Sequence, residues 1–163
     1  MNKIYTIEEI QKIEQHEFKR LKSSFILMNR AGTNCAKKIH KIYPKKNIIV
    51  LCGPGNNGGD GFIIAKCLIN HGYETEVYAL SNKKTYKGDA LKALNEYGEK
   101  IKKISLFRIK KDALIVDAIF GIGLSRSIKG ILKKIFNQIN KSNNKVVSID
   151  IPSGISSDTG KIL

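Results

Sequence analysis

Three short segments concentrate the residue types that bind and transform small molecules. The first is Gly53-Pro54-Gly55-Asn56-Asn57-Gly58-Gly59-Asp60-Gly61. The second is Asp117-Ala118-Ile119-Phe120-Gly121-Ile122-Gly123-Leu124-Ser125-Arg126. The third is Asp150-Ile151-Pro152-Ser153-Gly154, continuing to Asp158-Thr159-Gly160. Each joins glycines, which let a ligand approach the backbone, to oxygen-bearing side chains. Gly53, Gly55 and Gly58 spell G-x-G-x-x-G, a pattern whose N–H groups suit a pyrophosphate when a strand precedes it and a helix follows. Asp117 and Asp150 each close an apolar run. Two such carboxylates beside a Gly-rich loop suit acid–base chemistry, metal binding or ribose contact. They are not expected to face the phosphates, since like charges repel. Asn57, Asp117 and Ser153 are hard oxygen donors of low formal charge, better matched to a monovalent cation than to magnesium. The bland readings are a tight turn for the glycines, a helix N-cap for Asp60 and a loop cap for each Asp. The coincidence of three such loops favours a site.

The elements that must position these loops alternate. Residues 6–22 read as a polar helix with Thr6 as N-cap and Glu8 and Glu9 at its positive end. Residues 24–42 read as a second helix, with Phe25, Met28, Ala31, Cys35, Ile39 and Ile42 near helical spacing and Pro44 beyond its end. Residues 47–52 (NIIVLC) are a continuous apolar strand of the buried parallel kind. A helix is expected from Asp60 to His71, a strand at 75–80, a helix at 86–97 and a short strand at 101–106. A strand at 113–119, a Lys-rich helix at 129–141 and a strand at 145–149 complete the series. Strands alternating with helices predict parallel pairing with right-handed crossovers: a doubly wound α/β sheet, helices on both faces, with an N-terminal helical extension. In such a sheet ligands bind at the carboxyl ends of the strands, where the three segments lie.

Composition bounds the rest. A chain of 163 residues with 42% apolar residues is one domain with a real core, and wholesale disorder is excluded. No apolar run is long enough to span a bilayer, and the start has no signal-peptide stretch. Cys35, Cys52 and Cys67 are odd in number and widely spaced, which fits a reduced, cytoplasmic setting and argues against disulfides or a cysteine zinc site. The net charge of +15 rests on Lys, with four arginines (Arg20, Arg30, Arg108, Arg126). Arg carries most bidentate phosphate and base-edge recognition, so the charge reads as a solvated surface and not as a nucleic-acid face. His16, His40 and His71 read as surface or helix-end residues, Cys52 as an inert buried thiol, and Lys129, Lys133, Lys134 and Lys141 as a solvated helix face. Arg126, after a Gly loop, reads equally as a phosphate contact or as solvated.

At these loops the chain resembles the NAD(P)H-hydrate epimerase family. The stretches that carry the resemblance are LCGPGNNGGDGFIIA (51–65), VDAIFGIGLSRSIKG (116–130) and SIDIPSGISSDTG (148–160), with FILMNRAG (25–32) in support. The resemblance implies a Rossmann-like fold and interconversion of the R and S forms of hydrated NADH and NADPH, cofactors damaged by water added at C6 of the nicotinamide ring. It implies substrate contacts from Asn56, Asn57, Gly58, Gly59 and Asp60, and from Gly121, Ile122, Gly123, Leu124, Ser125, Arg126 and Ser127. Asp150 is implied as the substrate-contacting catalytic carboxylate, expected to serve as acid and then as base. Asn57, Asp117 and Ser153 are implied as ligands of a potassium ion. A homodimer and an NAD(P)H-hydrate dehydratase as functional partner are further implications. Departures from the family pattern are Ser127 for Pro, Ile122 for Thr and Asn29 for Glu. Family domains usually continue past the Asp-Thr-Gly segment, so residues 1–163 are expected to be one epimerase-like domain lacking a C-terminal segment, with a bare sheet edge.

Three competitors stand beside this reading. An NAD(P)-dependent oxidoreductase shares the Gly loop but needs a ribose carboxylate at the end of the next strand, whereas Glu74 and Glu76 stand at its start. A non-catalytic binding or scaffold module of the same fold fits the charge, but such modules typically lose the carboxylates kept here. A sugar-kinase-like phosphotransferase rests on Gly-Gly-Asp-Gly alone.

Overall fold

A computed structural model describes residues 4–44 and 47–163; residues 1–3 and 45–46 of the expected domain lie outside the described residues. Helix α1 spans Ile7–Leu21 and opens with a capping box: Thr6 Oγ1 accepts from the Glu9 N–H at 3.2 Å, and Glu9 Oε2 accepts from the Thr6 N–H at 2.8 Å. None of its residues is buried. Helix α2, Ser24–Ile42, buries Phe25, Met28, Gly32, Ala36 and Ile39, one stripe at spacings of three and four. Then follow β1 (Ile48–Cys52), α3 (Asn56–Asn70), β2 (Thr75–Ala79), α4 (Gly88–Tyr97), β3 (Ile101–Lys103), β4 (Leu114–Ala118), α5 (Gly130–Lys141) and β5 (Val146–Ser148).

Two boundaries differ from expectation. Helix α3 begins at Asn56 and not at Asp60: Gly55 is its N-cap, and the Asn-Asn-Gly-Gly stretch is its first turn. Asp60 therefore lies inside the helix and caps nothing. The strand expected at 101–106 is three residues long, because Ile104–Leu106 coil into a single 3-10 turn.

All five strands are parallel, in the order β3-β2-β1-β4-β5. Strands β1 and β4 are buried at every position. Their side chains alternate between faces with period two. Ile48, Val50, Cys52, Val77, Leu114 and Val116 face the layer built by α2, α3 and α4, where Phe62 and Leu68 are wholly buried. Ile49, Leu51, Tyr78 and Ile115 face Leu132, Ile135 and Ile139 of α5. Truncating Phe62 to Ala would cost about 3–5 kcal/mol. Helix α2 is thus an integral part of one layer, and the extension proper is α1.

Strand β5 has no second strand partner among the described residues, and its Val146 is 43% exposed. The described chain finishes in a small antiparallel bridge between Ile155 and Ile162, whose connecting loop contains Asp158, Thr159 and Gly160. The three cysteines are free. No helix among the described residues is long and apolar enough to cross a membrane.

Candidate active site

Strand β1 leads into α3 on one face of the sheet, and its neighbour β4 leads into α5 on the other. Their carboxyl ends diverge there and leave a crevice, the position where open α/β sheets take ligands. The crevice is a cleft of about 840 Å³. Asn56, Asn57 and Asp60 line it from α3, Gly121 to Arg126 from the loop after β4, and Asp150 from the loop after β5. The structure thus brings the three segments together.

The α3 end of the cleft is built by backbone contact. A Cβ on Gly53 would lie 1.9 Å from the Ile119 carbonyl oxygen, and one on Gly58 would lie 1.8 Å from the Gly53 carbonyl oxygen. Only glycine permits this approach. It draws the start of α3 down onto the β4 loop, and it leaves the first N–H groups of α3 without side-chain caps. Those N–H groups and the helix dipole favour a phosphate. Gly59 and Gly32 do the same between α3 and α2: a Cβ on Gly59 would meet the Met28 sulfur at 2.7 Å, and one on Gly32 would meet Ile63 at 2.7 Å. That contact explains why the FILMNRAG and NNGGDG stretches occur in one chain.

Three carboxyl groups serve the loops in three ways. Asp117 is 4% exposed and accepts from the Ile119 N–H at 3.2 Å, the Ser153 N–H at 2.8 Å and the Ser153 hydroxyl at 2.7 Å. Burial pushes its pKa up, and these hydrogen bonds hold it back. The Ser153 Oγ also accepts from the Phe120 N–H at 2.9 Å, so Asp117 and Ser153 pin the second loop to the third. Asp150 is exposed, and its Oδ2 accepts from the Ile122 N–H at 2.8 Å. It packs so closely on Gly121 that a Cβ there would fall 2.2 Å from Oδ2. Asp60 differs from both. Its Oδ1 is sealed from solvent with no hydrogen-bond partner. Burial, then the charges of Asp150 and Glu14, push its pKa up to about 7.

Some expected residues lie elsewhere. Gly58 and Gly59 are buried in helix packing and do not line the cleft. Ser127 lies in a second groove, of about 760 Å³ beside α5 and β5, which Asp117 and Ser153 also line. Of the three residues implied as potassium ligands, only Asn57 lines the cleft. Its amide oxygen and nitrogen are both sealed without a partner; an oxygen-seeking cation fits the orphaned oxygen, and the nitrogen calls for an acceptor. The Gly53–Ile119 contact joins its turn to the Asp117 loop. Asp158 to Gly160 lie in the terminal connecting loop and line no part of the cleft.

The sequence reading missed one wall. Ile10, Gln11 and Glu14 of α1 and Ala31 and Cys35 of α2 line the cleft. The residues of α1 gave no signal beyond a helix read as polar, and Ala31 and Cys35 read as part of the apolar stripe of α2. The histidines stand apart: His40 Nδ1 is 2.9 Å from the Tyr73 hydroxyl, His71 Nδ1 is 2.7 Å from the Cys67 carbonyl, and His16 is exposed on α1. Cys52 is fully buried, and burial pushes its thiol pKa up. Glu76 is held by Lys110 at 2.6 Å, Lys102 at 2.9 Å and the Tyr78 hydroxyl at 2.8 Å. Partial burial opposes ionisation there, yet these partners bring its pKa down to about 2. It is committed to that cluster and is no ribose ligand, which weakens the oxidoreductase reading.

Comparison with known proteins agrees with this geometry. Residues 24–163 match the family described as YjeF-related protein N-terminus. The NAD(P)H-hydrate epimerase of Lentilactobacillus buchneri is 34% identical over 170 residues, covering 100% of this chain and 78% of that one. A bifunctional NAD(P)H-hydrate repair enzyme of Dictyoglomus turgidum is 41% identical over 176 residues, covering 99% of this chain and 33% of that one. The crystal structure of the yeast protein ynu0 superposes with a TM-score of 0.69 at 29% identity, covering 84% of this chain and 64% of that one.

Proposed function

Because this chain belongs to the family of YjeF-related protein N-termini, we propose that it is an NAD(P)H-hydrate epimerase, interconverting the R and S hydrates of NADH and NADPH in cofactor repair. The observation that carries the reading is the cleft at the β1/β4 divergence. A Gly-rich helix start, the Gly121–Arg126 loop and the Asp150 carboxylate converge on it.

The chemistry follows from the substrate class. A hydroxyl on C6 is next to the ring nitrogen, so it leaves as water once protonated, and the nitrogen lone pair stabilises the resulting iminium. Water returning to the opposite face gives the other epimer. The start of α3 binds the pyrophosphate, and Arg126 adds charge beside it. Asp150, aimed by the Ile122 N–H, takes the proton of the incoming water. This assigns it the base half of the acid-then-base role expected from sequence. Asn57, Asp117 and Ser153 are the side chains that would hold a potassium ion. Bound there, the ion supplies fixed positive charge that orders the loops and steadies anionic substrate groups.

Relatives that are bifunctional repair enzymes extend well beyond the portion matched here. A dehydratase, fused or separate, is the partner this reading calls for, and a cytoplasmic homodimer is the expected form. The test is chromatographic. Purified S and R hydrates of NADH are incubated separately with the chain, with and without potassium, at a pH where spontaneous epimerisation is slow. Accelerated convergence of both to one ratio is expected. No acceleration by folded protein would overturn the reading.

A further inference from the structure

We propose that Asp60 is a second catalytic residue of this reaction: it delivers the proton to the departing hydroxyl, while Asp150 takes one from the entering water. The inference rests on the epimerase reading above and deepens it.

The geometry separates three carboxyl groups by their donors. Asp117 receives three hydrogen bonds and holds the second loop to the third. Asp150 receives a backbone N–H and is open to solvent, where water can exchange protons with it. Asp60 lines the same cleft but receives none, and its Oδ1 is sealed. An ionised carboxylate with a sealed, undonated oxygen is costly, and protonation removes most of that cost. Among the described residues the groups that bear on Asp60 are Glu14 from α1, the Cys35 thiol from α2 and Asp150 from the third loop, while Arg126 lines the same cleft. The shift of its pKa to about 7 agrees with this arrangement. Asp60, which receives no donor, and Asp150, aimed by a backbone N–H, can thus divide the two proton transfers that acid–base catalysis on one substrate requires.

The cycle balances. The Asp60 carboxyl gives its proton to the C6 hydroxyl. The C–O bond breaks with its electron pair leaving on water, and the nitrogen lone pair forms the C=N bond of the iminium. A second water adds at C6 from the opposite face, closing a C–O bond as the C=N pair returns to nitrogen. The proton it sheds goes to Asp150. Exchange with solvent then moves one proton from Asp150 back to Asp60, so nothing is consumed.

The experiment is the pH dependence of epimerisation of the purified NADH hydrates by the whole chain, wild type and Asp60→Asn. Since Asp60 acts protonated, wild-type kcat/KM should fall as the pH rises through about 7. In Asp60→Asn, kcat should drop about 100-fold or more while KM stays within a few-fold, and the alkaline fall should vanish from the residual rate. A difference infrared spectrum at neutral pH should show the carbonyl stretch of a protonated carboxyl in wild type and lack it in the variant. An active wild type with no alkaline fall, or a variant at the full rate, overturns the role of Asp60 and leaves the epimerase reading standing. A wild type that accelerates neither hydrate overturns both. If the variant does not fold, the wild-type pH profile decides alone.

Discussion

Replacing Asp60 with Asn is expected to stabilise the fold, by an amount that grows with pH. The Asp60 pKa is about 7 in the folded chain against an ordinary value of 3.8. That gap is about three units, or about 4 kcal/mol at 1.36 kcal/mol per unit, taken as a ceiling. Because the folded value is the raised one, the folded chain binds this proton more tightly than the unfolded chain does. Above about pH 7 both states are ionised, and the folded state carries the whole cost of a charged carboxylate with a sealed oxygen. As the pH falls through 7 the folded state protonates first and the cost shrinks. Below about pH 4 both states are protonated and the cost is gone. Asparagine is neutral throughout. Asp117, whose pKa is also raised by burial, is common to both proteins and cancels. The variant should therefore exceed wild type in unfolding free energy by up to about 4 kcal/mol near pH 8, by about half that near pH 5.5, and by almost nothing near pH 4. Urea unfolding at those three pH values measures it. A gain equal at all three, or none near pH 8, would refute the claim that Asp60 is held against its own charge.

The other expectations separate holding the site from acting in it. Gly121→Ala puts a Cβ 2.2 Å from Asp150 Oδ2, and the three atoms nearest to it all belong to Asp150, so kcat should fall about 100-fold while the unfolding midpoint barely moves. Asp117→Ala strands three donors in the interior; at about 1–3 kcal/mol each it should cost about 3–5 kcal/mol by chemical denaturation. A loss under 1 kcal/mol would show that those bonds carry no weight. Thr6→Ala removes the oxygen that caps α1, and should speed amide hydrogen exchange in residues 7–12 by about fivefold, for a cap worth about 1 kcal/mol, without moving the global melt.

The parts of the fold legible in the sequence were those set by local pattern. IIVLC at 48–52 and LIVDA at 114–118 are runs that only a sheet covered on both faces can bury. Thr6 and Glu9 announce the start of α1 by their spacing alone. The start of α3 was not legible, because glycine and asparagine are poor helix formers and signal a loop. What overrides that propensity is tertiary: the helix must approach Gly53 and Met28 more closely than any Cβ allows. With the helix start misplaced, spacing alone read Asp60 as a cap; the family resemblance put it at the substrate, and it lies inside α3 on the cleft. Asp117 and Asp150 were found as strand-end carboxylates, but their division of labour depends on which donors reach them. Those donors come from residues two to thirty-six positions away. The wall from α1 and α2 was not legible for a related reason: nothing in the local pattern of Ile10, Gln11, Glu14, Ala31 and Cys35 says which face of each helix meets the cleft.

The strand order has a consequence for synthesis on the ribosome. Strand β1 pairs with β2 on one side, and that partner follows it closely in the chain. Its other partner, β4, is made about 60 residues later. At elongation rates of about 5–20 residues per second, one edge of IIVLC stays open for several seconds. An open edge of β-branched residues is a template for aggregation. Lys45 and Lys46 directly precede this region, Lys110 and Lys111 precede β4, and Lys145 precedes β5. Clusters of like charge beside an unavoidable apolar strand repel a second nascent chain before the native neighbour arrives. On this view part of the +15 charge guards the chain while it is being made, and replacing Lys45 and Lys46 with Ser should lower soluble yield without lowering the stability of the protein that does fold.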